Sequence, residues 1–240
     1  MYNQTVARLT YRALLGRRRA LLLCALPLLL LIVAGAVRGL TGADDQVTTQ
    51  LLGGFAMATM VPLIGVIAGT GAIGPEIDDG SVVYLLAKPL KRSSIIVTKL
   101  LVAIGVTVTF SAVPTLLAGY ILNGNSQQIA VAYAVAAAIA SVAYSALFLL
   151  LGTVSRHAVV IGLVYALIWE ALFGSMVPGA RALSVQQWAL ALAQKVADSG
   201  AGISSEVGVT TGVTLLVVAT LGGTWYASRK LRTLTLAGEE

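Results

Sequence analysis

The residues of this chain that could take part in specific chemistry are concentrated in the stretch EIDDGSVVYLLAKPLKR, at positions 76–92 of 240. Three acids open the stretch, a glycine and a serine follow, and three basic residues close it around a run of apolar side chains. Charged and apolar groups in this order are suited to holding a partner surface by ion pairs and burial. We therefore expect binding at this stretch and no catalysis.

No residues in the sequence can be assembled into a catalytic or metal site. The only histidine is His157, beside Arg156 in a short turn, and the only cysteine is Cys24. One histidine cannot form a zinc site without partner ligands, and no HExxH helix is present. The sequence also lacks a GxxxxGK[ST] loop for nucleotide phosphates. We expect a protein that is not an enzyme and that binds no cofactor itself.

The composition places the chain in a membrane, because 58% of its residues are hydrophobic and only 11% are charged. A bilayer core of about 30 Å needs about 20 consecutive apolar residues in a helix. Six runs predict an all-α, polytopic membrane protein with six transmembrane helices: 20–37, 51–73, 100–122, 129–151, 158–173 and 207–225. The fifth run is the shortest.

The basic residues predict the orientation, because Lys and Arg beside membrane spans are retained in the cytoplasm. With the N-terminus inside, only Arg38, Arg181 and Lys195 of the 16 basic residues lie outside. No basic stripe alternates with aromatic residues, so no nucleic-acid partner is indicated. A composition rich in Ala, Gly and Arg but poor in Lys is typical of a bacterial protein. We expect a bacterial inner or plasma membrane and two cytoplasmic termini.

Two further helices are expected outside the spans. Residues 1–19 predict an amphipathic helix on the inner membrane surface, with an apolar face made of Tyr2, Val6, Leu9 and Ala13. This interpretation fits better than a secretory signal peptide, which Arg17–Arg19 and the following apolar run imitate. In the outer connection, 174–206, Ser184 and Gln187 match a capping box. The helix there is re-entrant or interfacial, and either covers the outer mouth or has no gating role.

Four residues within the predicted spans are candidates for a substrate path or gate: Pro114, Tyr165, Trp169 and Glu170. An ionisable residue inside a span is a functional candidate, although Glu170 could instead reach toward water and pair with Arg181 or another group of the outer connection. The aromatic residues either line a path for a bulky substrate or belong to an interfacial belt. Pro114 is either a hinge or one of the prolines common in membrane helices.

The connection 74–99 predicts a short helical hairpin below the membrane. Pro75 and the acids suit a first helical turn, and Gly80 can break the helix. Its apolar residues need either the bilayer interface or another protein to cover them, and a protein is favoured. The order Glu76-x-Asp78-x-Gly80-Ser81, then Leu85-Leu86, Pro89, Arg92 and Lys99 resembles the first cytoplasmic loop of ABC-2 type transporter permeases. Ser81 stands where threonine is usual, and Lys91 where a small residue is usual.

The resemblance implies the membrane subunit of an exporter that works as a dimer with an identical or related permease chain. An ATP-binding cassette ATPase subunit, which holds ATP and Mg, would dock on this loop, which is called the coupling helix. The implied docking residues are Glu76, Asp78, Asp79, Gly80, Ser81, Val82, Leu85, Leu86, Pro89 and Arg92. The substrate is expected to be amphipathic or hydrophobic, such as a drug, a peptide or a lipid-like molecule.

Two other functions stay open on the residues alone. A stand-alone secondary transporter or channel predicts several acids within the membrane or a charged pore ring, and only Glu170 is of this kind. A membrane anchor that does not transport would keep the docking loop without alternating access.

Overall fold

The computed structural model describes residues 3–80, 92–174 and 178–233, and every element in these ranges is helical. The first half contains α1 (Gln4–Leu14), α2 (Arg17–Thr41), α3 (Asp45–Leu51), α4 (Val61–Gly71), α5 (Gly74–Asp78) and α6 (Arg92–Asn123). The second half contains α7 (Ile129–Val154), α8 (Ala158–Val164), α9 (Pro178–Arg181), α10 (Val185–Val196) and α11 (Val209–Thr233). The π-helical segment Leu52–Met60 joins α3 to α4, and a second one, Tyr165–Phe173, extends α8.

Five helices in the described ranges are long and apolar enough to cross a membrane: Arg19–Thr41, Asp45–Asp78, Arg92–Asn123, Ser126–Val154 and Val209–Leu231. They confirm five of the six predicted spans and a polytopic membrane protein. The remaining run forms the apolar helix Ala158–Phe173, which is shorter than 18 residues. Its crossing of the membrane therefore stays a prediction.

Helix α7 is central, because it packs against α4, α6, α10 and α11. Small residues let its neighbours approach closely, and fully buried alanines recur along it at Ala132, Ala136, Ala140 and Ala143. On the facing helix α4, a Cβ atom at Gly65 would lie 2.8 Å from the Cβ of Tyr144. At Gly69 it would lie 2.6 Å from the Cβ of Phe148. The contact between α4 and α7 thus depends on two glycines.

Replacing Gly69 by alanine is expected to destabilise the fold. The added methyl group would also lie 3.1 Å from the backbone nitrogen of Leu149, which cannot move like a flexible side chain. Overpacking of this kind costs about 1–3 kcal/mol. We expect a lower thermal unfolding midpoint in detergent for Gly69→Ala. The control is Gly35→Ala on α2, where nothing lies within 4 Å of the added atom; equal midpoints for the two variants would contradict the prediction.

Buried hydroxyl groups also connect α6 to α7. The Oγ atoms of Ser111 and Ser141 lie 2.8 Å apart, and the Ser145 hydroxyl donates to Thr107 Oγ1 at 3.1 Å. All four side chains are fully buried. Hydrogen bonds between hydroxyl groups stabilise helix pairs inside membranes modestly. The two helices are therefore joined by polar contacts as well as by packing.

The amphipathic helix predicted at the N-terminus is present as α1, but a different face packs on the protein. The buried residues are Val6, Ala7, Thr10 and Leu14, whereas Leu9 is 53% exposed and Ala13 is also exposed. Tyr2 lies outside the described residues. The sequence identifies an apolar face, but the side facing the bundle is fixed by contacts with α6, where Thr98 Oγ1 accepts from the Asn3 backbone nitrogen at 3.1 Å.

Candidate functional site

The predicted docking loop begins with the short helix α5, directly after α4. Pro75 occupies its first turn, and the helix ends at Asp78. Gly80 follows with a φ of +68°, a left-handed conformation that glycine adopts at little cost. Asp78 and Asp79 are exposed at this end. The position of Pro75 in the first turn and the end of the helix before Gly80 agree with the prediction from the sequence.

Of the other proposed docking residues, five lie outside the described residues: Ser81, Val82, Leu85, Leu86 and Pro89. Arg92 is the first residue of α6, and its Nη1 atom donates to the carbonyl oxygen of Leu231 at 3.4 Å. This contact joins the end of the loop to the C-terminal part of α11.

Lys99 of α6 is fully buried, and its ammonium group has three acceptors. The Nζ atom lies 2.6 Å from Glu76 Oε1, 2.7 Å from the Ala72 carbonyl oxygen and 3.5 Å from Thr10 Oγ1. An ammonium group has three donors, so each has a partner here. A buried charge requires such pairing. Lys99 therefore joins α6 to α1, to the end of α4 and to α5. We call these four residues the Lys99 cluster.

Glu76 thus points into its own chain, whereas the sequence placed it on the partner surface. Asp78 and Asp79 are left as the exposed acids of the described part of the loop. Sequence reasoning included Lys99 only as part of the family pattern and missed Thr10. The signal that could have revealed this contact is the position of Lys99 at the start of an apolar run, because a lysine there needs a carboxylate or a carbonyl partner.

On the other side of the bundle, Glu170 is fully buried in the second π segment. Its carboxylate accepts from the Tyr165 hydroxyl at 2.8 Å, from the Val185 backbone nitrogen at 3.0 Å and from the Ser184 hydroxyl. Two of these donors lie at the N-terminal end of α10, where the helix dipole favours negative charge. Glu170 therefore attaches α10 to the second π segment. Glu170 does not reach water, since it is fully buried, but two of its partners, Ser184 and Val185, belong to the outer connection, as the alternative interpretation allows. Arg181 pairs with Glu206.

Helix α10 confirms the helix predicted in the outer connection, and Ser184 is its N-cap. It is embedded rather than superficial, since it packs against α7 and α11. Gln186 of this helix is buried and donates to the carbonyl oxygen of Gly53 at 3.1 Å. A second contact comes from the indole nitrogen of Trp169, which lies 3.5 Å from the carbonyl oxygen of Leu183.

The structure thus brings Tyr165, Trp169 and Glu170 together around α10. Pro114 takes no part in these hydrogen bonds; it is buried in α6, which continues unbroken from Arg92 to Asn123. The two π segments pack against each other beside this cluster. Such segments are rare and are often found at functional sites. Sequence reasoning missed them, although Pro62 removes a backbone donor directly after the first.

In the described ranges, no group of three or more His, Cys, Asp or Glu side chains could hold a metal ion. A family model described as ABC-2 family transporter protein matches residues 17–222 of the chain. The chain belongs to this family. The match begins at the start of α2 and ends within α11, so it covers Glu170 and its partners and all of the Lys99 cluster except Thr10. A comparison with curated proteins found no match.

Membership in the ABC-2 family confirms the resemblance predicted from the loop motif. The chain is the permease component of an ABC transporter, which lacks ATPase activity. ABC-2 permeases work with ATPase subunits. We expect the loop 74–99 to meet such a subunit. The Lys99 cluster lies where this loop joins the membrane helices.

Proposed function

We propose that this permease exports an amphipathic or hydrophobic substrate, such as a drug, a peptide or a lipid-like molecule, and that residues 74–99 couple it to its ATPase subunit. Residues 1–240 form one membrane domain, which works as a dimer with an identical or related chain. ATP and Mg are held by the ATPase subunit. Lys99 and Glu170 are the only fully buried charged residues among those described, which supports an apolar substrate.

The proposed topology has six crossings, with both termini in the cytoplasm of a bacterial cell. Basic residues at the inner ends of the spans support this orientation. Exposed apolar side chains follow the length of the short helix from Ala158 to Phe173, among them Val160, Val164, Ile168 and Leu172. Such a surface suits lipid, and a sixth crossing returns the chain to the side on which it began.

The observation that carries the proposal is the Lys99 cluster. An ATPase that moves the loop displaces α5, and the contact between Glu76 and Lys99 passes the displacement to α6 and α1. In a protein with two conformations, the ATPase needs only to favour one of them. Asp78 and Asp79 supply exposed charges for the partner. The apolar residues between Gly80 and Arg92 fill a groove in the ATPase.

An outer gate is the second part of the mechanism. All three described donors to the Glu170 carboxylate belong to this chain. This arrangement favours a role for Glu170 in a gate over a role in binding the substrate. We infer that Tyr165, Trp169 and Glu170 hold α10 across the outer end of the bundle. Pro114 serves as the hinge within α6.

Purification of the tagged chain from its native membrane tests the coupling. We expect a stoichiometric ATPase to copurify with the wild type and to be lost from the variant with Leu85→Asp and Leu86→Asp, because charged groups cannot fill an apolar groove. The control is Lys91→Ala, since the family pattern has a small residue there. Mass spectrometry identifies the ATPase, and membrane fractionation verifies insertion. Retention of the ATPase by the double variant would show that the loop does not dock it.

A further inference from the structure

A cavity of about 220 Å³ lies between the first turn of α2, the last turn of α4 and the start of α8. Arg19 and Arg156 line its polar end, and Leu22, Ile67 and Val159 line its apolar side. Leu22 is 57% exposed and Val159 is 52% exposed. The apolar side therefore opens outward, toward the bilayer that surrounds these helices.

The Arg19 guanidinium is held in place at this cavity. Its Nη1 atom lies 3.4 Å from the carbonyl oxygen of Ala13 and 3.3 Å from that of Gly71. Arg156 is exposed in the turn between α7 and α8. Within the part of the chain that the structure describes, neither arginine forms an ion pair.

The charges around the cavity define what can bind. Asp78 also lines it, so two positive groups and one negative group leave a net charge of one. A single phosphodiester group would neutralise this charge. Guanidinium groups bind phosphate oxygens by charge-assisted hydrogen bonds, and Asp78 can accept from hydroxyl groups. Basic pockets between membrane helices on the cytoplasmic side are known to bind lipid headgroups.

We propose that this cavity binds an anionic glycerophospholipid of the inner leaflet, with phosphatidylglycerol as its simplest form. The phosphodiester lies between Arg19 and Arg156, the glycerol hydroxyls donate to Asp78, and an acyl chain follows Leu22 and Val159. Phosphatidylcholine fits less well, because its quaternary ammonium group restores the positive charge and has no donor for Asp78. Inorganic phosphate has no part that would cover the apolar side.

The inference rests on the proposed orientation, which places these helix ends at the inner membrane surface. It does not depend on the ATPase subunit, on the substrate or on transport. Its test therefore uses the purified full-length chain alone, and a negative result would leave the ATPase copurification experiment unaffected.

Native mass spectrometry of the chain in detergent, titrated with phosphatidylglycerol or phosphatidylcholine, measures the retained lipid. We expect one tightly held phosphatidylglycerol and weaker binding of phosphatidylcholine. Arg156→Gln should weaken phosphatidylglycerol binding about tenfold, the low end for a lost charge-assisted hydrogen bond. This arginine forms no ion pair in the described structure, so the variant should fold normally, and a thermal unfolding curve verifies this. Adding Arg19→Gln should weaken binding further.

The matched control is Arg12→Gln, because Arg12 is exposed on α1 and does not line the cavity. We expect it to leave the binding unchanged. Equal losses for Arg12→Gln and Arg156→Gln would show attraction by general surface charge and overturn the proposal. Equal binding of the two lipids, or displacement of phosphatidylglycerol by millimolar inorganic phosphate, would overturn it as well.

Discussion

Replacing Lys99 by methionine is expected to abolish ATP hydrolysis that is coupled to the permease, and to destabilise the fold. The substitution removes the ammonium group that lies 2.6 Å from Glu76 Oε1, and the Ala72 carbonyl oxygen loses a donor at 2.7 Å. Removing one partner of a buried ion pair costs about 3–5 kcal/mol. The low end applies here, because the Glu76 side chain is 26% exposed. Methionine keeps a similar volume, so the loss reflects the charge and its hydrogen bonds.

A second variant separates coupling from stability. When Glu76→Leu is added to Lys99→Met, both charges of this pair are removed, and replacing a whole buried pair by apolar residues is often neutral for stability. We expect the double variant to regain its thermal unfolding midpoint while coupled hydrolysis stays absent, since α5 and α6 are no longer joined by a strong contact. The readout is ATP hydrolysis by the permease reconstituted with its copurified ATPase subunit.

The control for this experiment is Lys195→Met, because Lys195 is exposed near the end of α10. It should change neither the unfolding midpoint nor the hydrolysis rate. If the double variant regains both stability and coupled hydrolysis, the contact between Lys99 and Glu76 is structural only. The coupling path would then have to run through other contacts, such as that of Arg92 with α11.

The spans could be predicted from the sequence because a run of apolar residues is a local property. The predicted span 129–151 corresponds to Ile129–Val154, and 100–122 lies inside Arg92–Asn123. The capping box at Ser184 is equally local, and its helix was found. The placement of Pro75 in the first turn of α5 followed from the same kind of argument, since the preferences of proline and of acids for a first turn need no tertiary contact.

Contacts between distant residues could not be predicted. Lys99 meets residues 23 and 89 positions earlier in the chain, and no periodicity connects them. The packing side of α1 was missed for a related reason, since lipid and a protein interior are both apolar and the pattern of Val6 and Leu9 cannot separate them. The contact of Gln186 could not be predicted either, because its acceptor, the carbonyl oxygen of Gly53, belongs to a π segment 133 positions away.

Replacing Glu170 by leucine is expected to have the second large effect, by releasing α10 from the π segment. The change leaves the donors of Tyr165, Ser184 and Val185 without this carboxylate in a buried site. Each buried donor that loses its partner costs about 1–3 kcal/mol, although such costs do not add simply. We expect a lower unfolding midpoint and faster hydrogen exchange in residues 185–196, while α7 exchanges as before. Glu170→Gln should be milder, because its amide oxygen has two lone pairs and can still accept from the donors of one carboxylate oxygen.

Glu206→Gln is the matched control, because this acid also belongs to the outer connection but pairs with Arg181 at the surface, where its side chain is 45% exposed. Exposed ion pairs contribute about 0–1 kcal/mol, so exchange in α10 should stay near that of the wild type. The Gln variant also distinguishes the two roles of Glu170. A residue that anchors α10 changes hydrogen exchange in proportion to the bonds lost. If Glu170→Gln abolishes transport with exchange and midpoint unchanged, the carboxylate contacts the substrate, and the gate must lie elsewhere.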